Sequence, residues 1–457
     1  MSDQGITWYD ATRAETRVRE PLNYQMDVDV CVVGAGLAGL TVAREIARRG
    51  WSVAVLEAER AASAASGRNT GFVIPGFAED IETMIERVGL DHAKQLWALS
   101  EQGLAYVRHA IGELGMPGID PVPGWLQVSK IDEGRGNRAE VERLRWIGAQ
   151  AEFWPIERVR SELVNPRYFS AVHYPTAFHI HPLNYAIGLA DAAEQAGARI
   201  FEQTPALTVD TAGVRKRIDT PSGKVRAAHV VFAGNVGVGR LVPRLAATLL
   251  PVTTYVMVTE PLGPALHEVV RYRGAVSDGA RAGNHYRIVD GDRLQWSGGM
   301  RAWDADSRFV ARTLVRDVAR NFPALRDVQV AHLWRGTLGR SVHRMPQVGE
   351  MEQGVWVASG FGSHGLNTTA MAGELIARAI VERDDTWRLF APYELVWAGG
   401  ITGRAATQGV YWGSRIIGPA RQWLARQREA ARARKAARLA ARNVSSSVER
   451  GADAPRL

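Results

Sequence analysis

An α/β (α+β) fold is predicted by three observations. A strand, Gly-rich turn, helix and strand follow one another near the start of the chain. A second strand–Gly-rich turn–helix unit spans residues 355–380, and β-rich material fills the interval between them. Residues 28–33, VDVCVV, form a short apolar run rich in β-branched residues. GAGLAGLTVAREIARRG follows at once, and VAVLE at 53–57 is the next parallel strand. Together they make one βαβ unit.

The intervening elements follow in order. Residues 79–115 read as helices, with Leu96, Leu99, Val107, Ile111 and Leu114 near helical spacing. From Gly124 to about His181 the texture is strands and connecting loops. Residues 183–197 read as a helix, ARIFEQTPALTVD as a strand, and a hairpin turning at Ser222-Gly223 leads into VVFAG at 230–234. Residues 250–302 are strand-like. Residues 307–322 are an amphipathic helix (Val310, Leu314, Val318) ended by Pro323, and 355–380 is again strand, turn, helix.

Composition narrows the class. The 457 residues give room for two sizeable lobes, and 46% hydrophobic with 23% charged residues is ordinary for a globular enzyme. The single cysteine, Cys31, excludes an intrachain disulfide and a multi-cysteine metal site, so no metal is expected. The N-terminal residues lack the apolar segment of a signal peptide, and no apolar run is long enough to span a bilayer. A cytoplasmic protein is the expectation. The net charge of +8 is concentrated in one segment: between Arg421 and Arg442 seven Arg and one Lys face only Glu429, which gives 8 − 1 = +7. A basic tail on a near-neutral body is a local feature, and nucleic acid is not an expected partner. Solvation of that tail is the first reading, and weak contact with an anionic membrane surface or a partner subunit the alternatives.

Two turns carry the chemistry. Gly34, Gly36 and Gly39 make GxGxxG around Ala35, Leu37 and Ala38, between a strand and a helix. In such a turn the first Gly permits the tight bend, the second lets a pyrophosphate approach the backbone, and the third lets helix pack on strand. The diphosphate then meets unpaired N–H groups at the helix N-terminus. Glu57 lies 18 residues past Gly39, at the end of the second strand, where a carboxylate accepts hydrogen bonds from an adenosine ribose. These features indicate a dinucleotide without separating FAD from NAD. Ser66-Gly67-Arg68-Asn69-Thr70-Gly71 suits either a loop running close under a flat cofactor or a surface turn. Gly360-Phe361-Gly362-Ser363-His364-Gly365 lies between a strand and the helix from about Thr368, whose N-terminus could stabilise negative charge on a reduced flavin ring; a purely structural turn is the alternative. His364 within that turn is read as structural rather than as a base.

GAGLAGL, AASGRNTGF, IHPLNYAIGLA, YVMVTEPL and GFGSHGLNTTAMAGELIA together resemble the D-amino-acid-oxidase-type FAD oxidoreductases, closest to the gamma-glutamylputrescine oxidase-like branch. The resemblance implies a two-lobe flavoprotein with a Rossmann-like FAD-binding domain and a mixed-sheet substrate domain. The first would be discontinuous (28–78, 180–240 and 335–385) and the second would comprise 79–179 and 241–334, with extensions at 1–27 and 386–457. By position, the stretches from Ser66 to Gly71 and from Gly360 to Gly365 would line the isoalloxazine, and Leu207 and Gly234 would sit on the adenosine side.

The implied reaction oxidises the CH–NH bond of an amine or amino acid to an imine by hydride transfer to flavin, with oxygen as acceptor. A dehydrogenase passing electrons to a quinone or partner protein, and a non-catalytic FAD subunit, are the alternatives. Asn367 stands where some relatives carry a carboxylate-gripping Lys, so a simple α-amino acid is less assured as substrate. Trp334-Arg335-Gly336 stands where the branch carries Trp-Gly-Gly. Arg68, Tyr286 and Arg335 are the substrate-facing candidates; an ordinary strand tyrosine and an interdomain arginine are the competing readings of the last two. Cys31 lies too early in the chain to reach the ring, so non-covalent FAD is expected.

Overall fold

The computed structural model describes residues 6–132, 134–239, 241–278 and 283–413; the basic segment 421–442 lies outside them. Two sheets organise the chain, which is a mixed α/β structure. The first holds parallel strands in the order Val355–Ser359, Lys224–Phe232, Gln25–Val33, Val53–Leu56 and Arg199–Phe201. Gln347–Glu352 pairs antiparallel on one edge. Val30, Cys31 and Val32 are fully buried, as expected where a parallel sheet is covered on both faces.

Helix Leu37–Arg48 covers one of those faces and packs on helix Gly365–Glu382, which in turn packs on Leu90–Leu114. The first pair approaches closely because residue 373 is glycine: a Cβ there would lie 2.5 Å from Thr41 Cβ. Arg49 ties the pair further, donating to Glu45 and Glu374 at 2.8 Å each and to Glu382 at 2.7 Å.

The second sheet is mixed and nine-stranded. Its order is Val330–Arg340, Leu250–Thr259, Arg293–Arg301, His285–Val289, Ala275–Ser277, Val122–Val128, Ala171–His179 and Phe72–Val73, with Glu152–Trp154 pairing beside Ala171–His179. Ala275–Ser277 runs parallel to Val122–Val128, and its other neighbour is antiparallel. Successive side chains on a strand face opposite ways. Tyr286, Ile288, Leu294 and Trp296 therefore join one apolar core beneath helix Ser307–Asn321, while His285, Arg287, Gln295 and Ser297 share the other face.

Three stretches differ from expectation. Residues 124–181 contain helices Gly134–Trp146 and Ile156–Glu162 between the strands. The first carries six charged residues among its 13 and buries Val141 and Leu144, too few apolar positions to register as a helical stripe. ARIFEQTPALTVD forms two short strands, Arg199–Phe201 and Thr208–Asp210. Gln203 adopts φ +51° and Pro205 follows it, so the extended run is broken between them. Helix Pro264–Val269 interrupts 250–302, with proline in its first turn, where the missing N–H costs nothing.

A buried polar network fixes the loop at 66–71 between the two sheets. The Arg287 guanidinium, 3% exposed, donates to Ile180 O at 2.7 Å and to Tyr9 Oη at 3.0 Å. Gln295 Nε2 donates to Thr70 O, and Tyr9 Oη lies 2.9 Å from Asn69 O. Asn69 closes the loop on itself, donating to Ser66 O and accepting from the Gly71 N–H. Tyr9, from the short capped helix Trp8–Ala11, is fully buried, and burial raises the pKa of its hydroxyl, which stays protonated.

Candidate active site and cofactor cavity

The carboxyl ends of the parallel strands open into a cavity of about 1550 Å³ that continues beneath the second sheet. Its floor is the Gly-rich turn. Gly34 has φ +108°, and a Cβ there would lie 2.8 Å from the Gly234 backbone, so the first strand end meets the other only without a side chain at 34. A Cβ on Gly39 would lie 2.0 Å from Gly34 O. Gly36 differs in kind. It is the N-cap of helix Leu37–Arg48, its φ of −78° suits any residue, and a Cβ would meet only the Ser66 hydroxyl, at 2.9 Å. Gly36, Leu37 and Ala38 all line the cavity. That is a cradle with room for an anion, sitting on a helix N-terminus that favours one.

Glu57 stands beside this turn. Its carboxylate accepts the Ala35 N–H at 2.8 Å and the Glu59 N–H at 2.9 Å while still lining the cavity. Burial raises its pKa, and the two N–H bonds oppose that rise. Each oxygen keeps a lone pair, so a diol could donate to it. Leu207 and the segment Ala233–Gly239 line the same end, and Asn235 Oδ1 there is buried without a hydrogen-bond partner among the described residues. An adenosine diphosphate fits these donors and acceptors. Ser66 joins the two predicted motifs, its hydroxyl accepting the Leu37 N–H at 3.0 Å.

Farther along, Arg68, Asn69 and Thr70 face the turn Phe361–Leu366 and the start of helix Gly365–Glu382. Strand Val330–Arg340 closes in from the second sheet: Trp334 Nε1 donates to Arg68 O at 3.0 Å, and Gly336 passes close to the Arg68 backbone. A flat ring fits between these segments, with the helix N-terminus at one side.

The remaining wall is a set of side chains that sequence reasoning missed. Trp97, Trp125 and Tyr174 line it, the last two stacked with ring centroids 4.7 Å apart. Trp125 Nε1 donates to Ser277 Oγ at 2.9 Å, and Ser277 Oγ lies 2.8 Å from His285 Nδ1. With Ser277 donating to Nδ1, the imidazole proton resides on Nε2. In that tautomer His285 offers an N–H donor to the cavity it lines. Burial lowers its pKa, and His364 is pushed down to about 4 by burial and by His285. Both imidazoles are neutral at neutral pH.

The predicted residues divide as follows. Gly34, Gly36, Leu37, Ala38, Glu57, Ser66, Arg68, Asn69, Thr70, Leu207, Gly234, Phe361, Gly362, Ser363, His364 and Gly365 line the cavity, and so does Arg335. Ala35, Gly39, Gly67, Gly71 and Gly360 lie behind that wall, where they shape the backbone. Arg335 is not an open cation: its guanidinium pairs with Asp304. Tyr286 is not substrate-facing. It is fully buried, stacked on Trp296 at 4.7 Å, with its hydroxyl bonded to Tyr168 Oη at 3.1 Å. One position of strand alternation separates it from His285, the residue that does face the cavity. Asn367 is buried too, donating to Gly76 O at 3.1 Å.

Comparison with known proteins agrees with this geometry. The family described as DAO, FAD dependent oxidoreductase, matches residues 29–379. Gamma-glutamylputrescine oxidoreductase of Escherichia coli K12 is 32% identical over 394 residues, covering 85% of this chain and 92% of the relative. Among solved structures, glycine oxidase from Geobacillus kaustophilus is similar with a TM-score of 0.68 at 23% identity, over 81% of this chain and 98% of that one. L-proline dehydrogenase from P. horikoshii gives 0.66 at 18% identity, over 82% and 98%.

Proposed function

The chain belongs to the DAO family of FAD-dependent oxidoreductases, and from that premise we propose that it oxidises the CH–NH bond of an amine or amino acid to an imine, with molecular oxygen as acceptor and hydrogen peroxide as product. The observation that carries this reading is the single cavity joining the Gly34–Gly39 turn, Glu57, the first turn of helix Gly365–Glu382 and the His285 wall. The names of the relatives point the same way, since a gamma-glutamylputrescine oxidoreductase and a glycine oxidase both act on compounds bearing an amino group.

FAD, when bound, supplies the acceptor for the hydride leaving the carbon beside the nitrogen. The protein does the rest by binding and exclusion. Gly36 leaves space for the pyrophosphate, and Glu57 accepts from the ribose. The N-terminus of helix Gly365–Glu382 favours negative charge on the adjoining ring. Trp97, Trp125 and Tyr174 keep water from the substrate side. The neutral His285 presents Nε2–H, which orients a carbonyl or carboxylate oxygen of the substrate and leaves the reacting nitrogen's lone pair unengaged. Binding of FAD is non-covalent in this reading: Cys31 is the chain's one cysteine, buried off the cavity, with its thiol pushed up to about 12.

A panel of amines and amino acids tests the proposal through two readouts. Anaerobic bleaching of the flavin identifies donors, and peroxide formed in air identifies the acceptor. At least one amine is expected to give both. Failure of every donor to bleach the flavin overturns the amine reading. Bleaching without peroxide overturns oxygen as acceptor. Acid precipitation should leave the yellow colour in solution; colour on the pellet refutes non-covalent binding.

A further inference from the structure

Large apolar side chains reach solvent singly over most of this surface, as on any globular protein. Between residues 395 and 412 they are concentrated. Trp397 is 68% exposed, Ile401 78%, Val410 53% and Trp412 56%, with Leu395 and Val396 beside them. Residues 400–413 are helical, and the inner side of that helix is held at the end of strand Arg293–Arg301. Gln408 accepts the Ala302 N–H at 2.9 Å, and Arg404 Nε donates to Ala302 O at 3.1 Å. The same arginine lies 5.5 Å from the ring centre of Trp303, which is 42% exposed and extends the apolar area. On the outer side, the exposed positions 401, 402, 405, 406, 409, 410 and 412 carry no charged side chain.

The charge arrives immediately afterwards. Eight residues beyond 413 begins the run from Arg421 to Arg442, with its +7. Chain geometry keeps its first arginine within roughly 30 Å of the apolar helix. An apolar, tryptophan-bearing face joined to a basic run is the pair of features that stable attachment to a lipid surface needs, since either alone binds marginally. Tryptophan favours the headgroup boundary of a bilayer, and each basic residue near an anionic surface strengthens attachment by roughly fivefold.

We propose that the face formed by residues 395–412 docks on an anionic lipid bilayer, with the 421–442 run as its electrostatic partner. A second copy of the chain is the less favoured occupant. A two-fold contact through this face would place two +7 runs near each other, whereas an anionic bilayer neutralises both.

The test uses the full-length flavin-loaded protein and vesicles of phosphatidylcholine with or without phosphatidylglycerol. Cosedimentation is expected with the anionic vesicles at low salt, and release at high salt. The triple variant W397S/I401S/W412S should bind roughly tenfold more weakly or worse, with unchanged flavin content. A chain ending before Arg421 should lose the preference for anionic lipid and keep its flavin and turnover. Equal binding to both vesicle types, binding that survives the triple substitution, or no binding at all each overturns the proposal. So does lipid-free dimerisation abolished by the same substitutions, which assigns the face to a second copy. Retention by an acidic protein column without retention by vesicles likewise overturns it.

Discussion

Replacing Gly36 with valine should separate flavin binding from folding. The position has φ −78°, so the backbone accepts any residue there without strain. The nearest obstacle to a new Cβ is the Ser66 hydroxyl at 2.9 Å, the end of a short side chain that can rotate. Rotation sacrifices the Leu37 N–H to Ser66 bond, which costs about 1 kcal/mol. The two further methyl groups enter the cavity where, on the proposed reading, the pyrophosphate meets the helix N-terminus. Losing two charge-assisted bonds there costs about 3 kcal/mol or more, a factor of at least roughly 100 in affinity for FAD. Gly39→Val is the contrasting control, because its Cβ would lie 2.0 Å from a backbone oxygen and the fold itself should fail. The assay is flavin absorbance per chain after gel filtration, followed by FAD titration of the stripped protein and thermal melts of both stripped forms. Stripped Gly36→Val should melt within a few degrees of stripped wild type while taking up little flavin. Stoichiometric flavin at wild-type affinity would remove the pyrophosphate from this turn.

Tyr286→Phe should destabilise the protein by about 1 kcal/mol through the lost bond to Tyr168, with kcat/KM nearly unchanged; a fall in turnover without lost stability would return Tyr286 to the site. His285→Leu should lower kcat/KM on the best amine by roughly tenfold or more at full flavin content, with His285→Gln restoring part of it; wild-type kinetics in the leucine variant would discard the donor role. His364 and His181 titrate at about 4 in the fold, against 6.5 in an unfolded chain. Their contribution to stability is present above pH 6.5 and is lost as pH falls toward 4, by at most about 1.4 kcal/mol per pH unit for each group and less where cavity water screens it. Melts of the flavin-free protein between pH 7 and 5 should fall with acidification, and less steeply in His364→Asn; an identical slope in that variant would exclude His364 as a contributor.

The Gly-rich turn and the strands around it were legible because their constraints are local. Gly34 by its positive φ, Gly39 by its close approach to Gly34 O, Gly36 as the helix N-cap and Glu57 by accepting the Ala35 N–H all act within one βαβ unit, and their spacing states it directly. Helix Gly134–Trp146 was not legible because it buries Val141 and Leu144 against a background of charge, leaving little periodicity to detect. The bracing of the 66–71 loop was hidden for another reason. Tyr9, Arg287 and Gln295 meet it from positions 60 or more residues away in sequence, and each looks like an ordinary polar or aromatic residue in its own segment.

The cavity wall at His285 lies between these cases, because its information is present in the sequence and turns on parity. In His285-Tyr286-Arg287-Ile288 the apolar residues alternate with the polar ones, and Leu294-Gln295-Trp296-Ser297 repeats the pattern on the neighbouring strand. Two paired strands that alternate in step must bury Tyr286, Ile288, Leu294 and Trp296 together and turn His285 and Ser297 the other way. An aromatic hydroxyl attracts a functional reading, yet alternation alone assigns Tyr286 to the core. Pairing partners are what alternation cannot supply. The hydrogen bonding of His285 Nδ1 depends on Ser277 across one strand pair and on Trp125 across the next, from a segment some 150 residues earlier in the chain. Only the folded sheet brings those three side chains together, so a residue's face can be read from sequence while its hydrogen-bond partners cannot.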